Sequence, residues 1–82
     1  MYNTINEKVK VLAAFENGKI LPKVFKWQNR DYKIKEIALY YTEKDGVSIN
    51  HCFGIETMDG GIFKIELNDK SLVWTLQEIW VD

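Results

Sequence analysis

Glu36 and Glu78 are the residues best placed in the sequence for acid–base chemistry. Each stands where the alternation of large apolar side chains changes parity. Tyr32 and Ile34 precede Glu36 in one register, and Ile37, Leu39 and Tyr41 follow in the other. Trp74 and Leu76 precede Glu78, and Ile79 and Val81 follow. Two carboxylates facing inward among aromatic rings would repel one another and resist ionisation, which raises one pKa for proton transfer. The competing reading is a β-bulge at each glutamate, which inserts a residue, turns the strand and exchanges its inward face. The bulge is the expectation here, because no nucleophile-and-base set lies nearby in sequence and so short a chain has little room for a substrate cleft.

His51 and Cys52 invite a metal or nucleophile reading. Neighbours on a strand point to opposite faces, however, so the two cannot chelate one ion or act on each other. His51 shares the parity of Ile49 and Phe53 and reads as a neutral, hydrogen-bonded histidine in or beside the core. Cys52 reads as a small buried or half-buried side chain. Asp59-Gly60-Gly61 lacks the following helix, with its lysine or serine, that a phosphate-cradling loop needs, and reads as a hairpin turn. No residue is assigned a catalytic, cofactor-binding or metal-binding role, and the chain is read as a non-enzyme.

Charge is the one feature spread along the chain. Residues 1–41 hold eight Lys or Arg against four acids, and residues 42–82 hold three against eight. Lys26, Lys33 and Lys35 should project outward from their strands, with Arg30 in the turn between them. Together with Trp27 they form a candidate nucleic-acid-binding set, Lys26, Trp27, Arg30, Lys33 and Lys35, because small β-barrels bind single strands through basic and aromatic surfaces. Closure of a meander would also set lysines opposite later glutamates and neutralise part of this charge.

These side chains must be positioned by strands. Asn17-Gly18, Asp45-Gly46 and Asp59-Gly60 supply residues that tolerate positive φ, and weaker turn chemistry stands at Asn29-Arg30-Asp31 and Asn68-Asp69-Lys70-Ser71. Between them lie six runs: Lys8 to Glu16, Lys19 to Gln28, Tyr32 to Tyr41, Val47 to Thr57, Gly61 to Leu67 and Leu72 to Val81. Period two places Val9, Val11, Ala13 and Phe15 on one face of the first run. It places Val47, Ile49, Phe53 and Ile55 on one face of the fourth, and Phe63, Ile65 and Leu67 on one face of the fifth. Pro22 lacks an amide proton, so the second run is either an edge at that point or begins after it, and the third and sixth runs should be better paired. The expected fold is all-β: a six-stranded antiparallel meander, forming a small barrel or strongly curled sheet.

Eighty-two residues make one domain spanning 1–82. A composition 46% hydrophobic and 28% charged is that of a globular chain. One cysteine, one histidine and one proline exclude a disulfide framework, a zinc cluster and a proline-rich ligand. A formal charge of −1 gives no bulk attraction to nucleic acid or membrane. The start of the chain has no basic region followed by an apolar run, and the expected location is cytoplasmic.

Three segments carry a resemblance. They are Pro22-x-x-Phe25-x-Trp27-x-x-Arg30-x-Tyr32-x-Ile34-x-x-Ile37, Phe53-x-Ile55-x-Thr57-x-Asp59-Gly60-Gly61-x-Phe63-x-Ile65, and Trp74-x-Leu76-x-x-x-Trp80-x-Asp82. Together they resemble a family of small bacterial all-β domains of unknown function. They are also similar to segments at the C-terminal end of proteins related to Y-family DNA polymerases. The resemblance implies a short all-β protein with an accessory role in DNA damage tolerance, and it carries over no catalytic residue. From the residues themselves, Trp27, Tyr40, Tyr41, Trp74 and Trp80 are more aromatics than a core this small needs, so some should be exposed. The leading expectation is therefore a protein-interaction or scaffolding module with a protein partner, or a homodimer formed through the first or last strand. The second is a single-stranded nucleic-acid-binding accessory module. No cofactor or membrane partner is expected.

Overall fold

The computed structural model describes residues 1–82. Six antiparallel strands follow one another: β1 (Tyr2–Glu16), β2 (Lys19–Trp27), β3 (Arg30–Asp45), β4 (Ser48–Thr57), β5 (Ile62–Asn68) and β6 (Trp74–Trp80). Each pairs with the next, and β6 returns to pair with β1, so the meander closes into a ring. There is no helix, and therefore none long and apolar enough to cross a membrane.

Turn chemistry sets the order. Asn17 and Gly18 both have positive φ, as a type I′ hairpin requires. Gln28 and Asn29 do the same with no glycine, one residue earlier than the expected Asn29-Arg30-Asp31 turn, because Trp27 pairs with Arg30. The third hairpin also differs from expectation. Asp45 pairs with Ser48, so the central residues are Gly46 and Val47, and only Gly46 needs positive φ. Val47 is consequently 87% exposed at a turn tip and takes no part in the core face assigned to it. Ile49 and Phe15, placed inward by alternation, are exposed for a similar reason: both lie toward the ends of hairpins that extend beyond the core. At the last turn the Asn68 side chain accepts from the amides of Lys70 and Ser71, which is the local bonding expected of that segment.

Phe25, Phe53, Ile55, Phe63, Ile65, Leu67, Trp74 and Leu76 form the core. Phe25 is its aromatic centre, stacked on Tyr32 at 5.0 Å between centroids and edge-on to Phe63 at 5.1 Å. Such pairs add to the burial of apolar area, which is the main favourable term in a domain this small. Gly61 is fixed by this core. A Cβ there would lie 2.7 Å from Cε2 of Phe63 and 2.9 Å from the Thr57 hydroxyl.

Both parity changes are bulges. The β3–β4 register slips between Ile34 and Glu36 and again between Ile37 and Leu39, and the β5–β6 register slips between Lys64 and Ile65, opposite Glu78 and Leu76. β1 begins at Tyr2 rather than Lys8. Its first half pairs with β6 through a register slip between Thr4 and Glu7, with Asn6 at φ 53°, and this irregularity hides the alternation there. β6 is paired on both sides, as expected, whereas β3 changes partner along its length, pairing with β2 from Arg30 to Lys33 and with β4 from Ile34 to Asp45.

Candidate functional site

The ring is closed unevenly. The β2–β3 ladder has four paired positions, Trp27 with Arg30 through Val24 with Lys33, and then stops. Beyond it β3 continues from Ile34 to Asp45 with β4 on one side only, and β2 from Lys19 to Pro22 has β1 on one side only. Pro22, which has no amide proton to give to a ladder, sits in this singly paired half of β2 beside a register slip, in agreement with the edge expected at that point. The first and last strands, by contrast, pair with each other between Tyr2–Val9 and Trp74–Trp80, which removes the edge expected to form a dimer.

Where β2 and β3 part, a cleft of about 270 Å³ opens, walled by Ile20 and Leu21 on one side and by Ile37, Tyr40, His51 and Phe53 on the other. Tyr40 stands at its mouth, half exposed. Its ring stacks on His51 at 6.0 Å with an interplanar angle of 13°, and its hydroxyl shares a 2.8 Å hydrogen bond with Nδ1 of His51. His51 is thus the hydrogen-bonded histidine at the core edge that its parity implied. An apolar floor, two aromatic-ring residues locked together and a strand edge with unused backbone groups are the ingredients of a peptide-binding groove.

The five residues of the candidate nucleic-acid set are not brought together. Trp27 points inward, 6.1 Å from Tyr32 and 6.5 Å from Phe63 between centroids, and its indole N–H is buried without a hydrogen-bond partner. Its parity with the core residue Phe25 already implied this. Arg30 donates to Asp59 at 2.8 Å and lies over the Tyr32 ring, and Lys35 approaches Glu56 at 3.9 Å. Lys26 and Lys33 alone remain unpaired on the outer face, and Lys10 lies with them around one shallow trough. The alternation that turns Val9 and Val11 inward turns Lys8 and Lys10 outward, and this parity is the sequence signal that adds them to the face.

Glu36 and Glu78 do not form a carboxylate pair. Glu36 lies opposite Glu56 on β4, and Glu78 lies opposite Lys64 on β5, 3.9 Å from its ammonium. Cys52 is a free, buried thiol on the outer side of β4, within 3.8 Å of a Glu66 carboxylate oxygen. Burial, then the charges of Glu66 and Glu43, push its pKa up to about 11. A thiol so held is a poor nucleophile. No group of three or more His, Cys, Asp or Glu side chains is gathered so as to hold a metal ion.

Of the five surplus aromatics, Tyr40, Tyr41 and Trp80 are exposed and Trp74 is buried. Trp80 meets Tyr2 edge-on at 5.1 Å, and the Lys64 ammonium lies 4.4 Å from the Tyr2 ring centroid. No family model, curated protein or solved structure matches this chain.

Proposed function

We propose that this chain is a non-catalytic protein-interaction module that accepts an extended segment of a partner protein in the open seam between β2 and β3. One observation carries the reading: the unpaired edge of β3 and the apolar cleft coincide. A peptide laid along β3 would meet main-chain donors and acceptors that have no other partner, and its alternate side chains would enter between Leu21 and Tyr40. A lone extended chain has both edges free and can bond to β2 and β3 together. A strand of a second copy is already paired on one edge and satisfies only one wall, which favours a peptide over a homodimer.

The test is selection of peptides from a displayed random library on the purified protein, followed by affinity measurement on Tyr40→Ala. Tyr40 is a half-exposed wall of the cleft, so the variant keeps its core. Selected peptides should lose about tenfold or more in affinity, the usual consequence of removing an aromatic anchor. Peptides that bind the variant as tightly would end the reading. A dimeric mass in sedimentation, reduced to monomer by Tyr40→Ala, would replace the peptide with a second copy.

A further inference from the structure

We infer that the outer face of β1, β2 and β3 is a second site, separate from the seam, that holds the phosphate backbone of a nucleic acid by charge alone. Four lysines share this face. Lys8 and Lys10 project from β1 on either side of the inward residue Val9, Lys26 projects from β2, and Lys33 from β3. Lys10 lies directly across the ladder from Lys26. Like charges at such a position destabilise a sheet; Asp31, directly across the β2–β3 ladder from Lys26, offsets one of the four charges and leaves the face with a net positive excess. The three ion pairs of the molecule engage Arg30, Lys35 and Lys64, and none engages these four lysines. Two adjoining troughs cross the face, one lined by Lys10, Lys26 and Lys33 and the other by Lys8, Lys10 and Lys26, with Asp31 as their single acid.

The chemistry of the face selects its occupant. Around Lys26 the backbone of β2 is paired on both sides, so an added peptide strand would find no main-chain partner. Leu12 and Val24 are its apolar groups, and Trp27, the nearest aromatic on β2, lies inside. What remains is a set of compact ammonium charges on flexible stems. Such groups engage phosphates as point charges and need no planar fork. No aromatic ring on the face can stack on a base, and its only neutral amides, Gln28 and Asn29, sit at the hairpin end of the second trough, so charge density dominates recognition and a duplex should bind no more weakly than a single strand. This distinguishes the site from a single-strand platform, which depends on exposed aromatics.

The experiment is fluorescence anisotropy of a labelled short DNA duplex, and of a single strand with the same number of phosphates, over a series of salt concentrations. The inference expects binding at low salt with duplex at least as tight as single strand. For the duplex, log K should fall against log salt with a slope of about −3 to −4 if each lysine neutralises one phosphate. The double variant Lys10→Glu/Lys26→Glu should lower affinity by about tenfold or more, since it reverses two of the four charges. It also sets like charges across both ladders, with position 10 and with Asp31, so Lys10→Gln/Lys26→Gln, which removes the Lys10–Lys26 repulsion together with the attraction of Lys26 to Asp31, supplies a variant expected to melt close to the wild type. Tyr40→Ala should bind DNA as the wild type does, and a loss there would contradict separate sites. Absence of binding at low salt would overturn the inference. So would unchanged affinity in both double variants, or tighter binding of polyglutamate than of duplex at equal charge.

Discussion

Val24 and Lys33 face each other across the last paired position between β2 and β3. On one side of that rung the ring is continuous, with Phe25 and Tyr32 stacked beneath it. On the other side the strands separate around Leu21 and Ile37, and the β3 backbone is left with bonding groups on one edge. The continuously paired half of the ring thus frames the open half, as suits a site whose shape is set before a partner arrives.

Hydrogen exchange should show this division. Amides of β5, which is bonded to β4 and β6, should exchange slowest. Alternate amides of β3 from Ile34 to Tyr41, those directed into the seam, should exchange much faster, because opening there breaks no ladder bond. Uniform protection along β3, equal to that of Phe63 and Ile65, would mean that the seam is closed in solution.

Gly61→Ala tests the packing of the last turn before β5. Its Cβ would press on Phe63 and Thr57, both buried, so the variant should lose about 1–3 kcal/mol as overpacked cores do. Gly54→Ala should cost less, because its nearest contact, the Leu39 Cβ, lies at 3.2 Å and calls for a shift of only a few tenths of an ångström between the strands, against the 2.7 Å and 2.9 Å contacts at Gly61. Thermal melts of the two variants decide it, and equal melting temperatures would contradict the account.

Much of this turn was legible in the sequence, and the way it differs from the others is instructive. Asp59-Gly60-Gly61 announced a hairpin, and positive φ falls on Gly60. Asn17-Gly18 was equally plain. Asp45-Gly46 was legible as a turn but not in its register, because the Asp45–Ser48 pair moves Val47 to the tip, and pairing is a property of two strands rather than of a dipeptide. The bulges beside Glu36 and Glu78 could be read from the change in parity. The seam could not, since how far β3 stays with β2 depends on the whole ring. Pro22 was its one local signal. Trp27 is the reverse case: its place among lysines suggests a surface site, but its parity with Phe25 governs and it lies inside.

Acid stability should depend on Asp59. Its carboxyl is held below the ordinary value first by the Thr57 hydroxyl, then by the Gly61 amide, with Arg30 adding attraction. The unfolded chain therefore binds this proton more readily than the folded one. The stabilisation is complete above the ordinary carboxylate pKa of about 3.9 and is lost as pH falls through the lower folded value. Asp59→Asn should flatten part of the acid unfolding limb. In an NMR titration Thr57→Val should raise the Asp59 pKa more than Arg30→Gln does; the reverse order would show that the ion pair, and not the turn, controls it.

Cys52 should be nearly inert while the protein is folded. With its pKa pushed up to about 11 by burial and by Glu66 and Glu43, little thiolate exists near pH 8. Alkylation by iodoacetamide should be slow in buffer and rise sharply across the denaturant unfolding transition. Rapid modification of the native protein would contradict the buried placement of this side chain.

The most direct test of the seam combines two of these measurements. A library-selected peptide is added to the isotopically labelled protein, and exchange of the β3 amides from Ile34 to Tyr41 is followed with and without it. Strand addition predicts that the fast amides of β3 slow markedly on binding, while those of β5 are little changed and the Tyr40 and His51 signals shift. If the peptide binds and the β3 amides continue to exchange as in the free protein, the seam is not the binding site and the central claim fails.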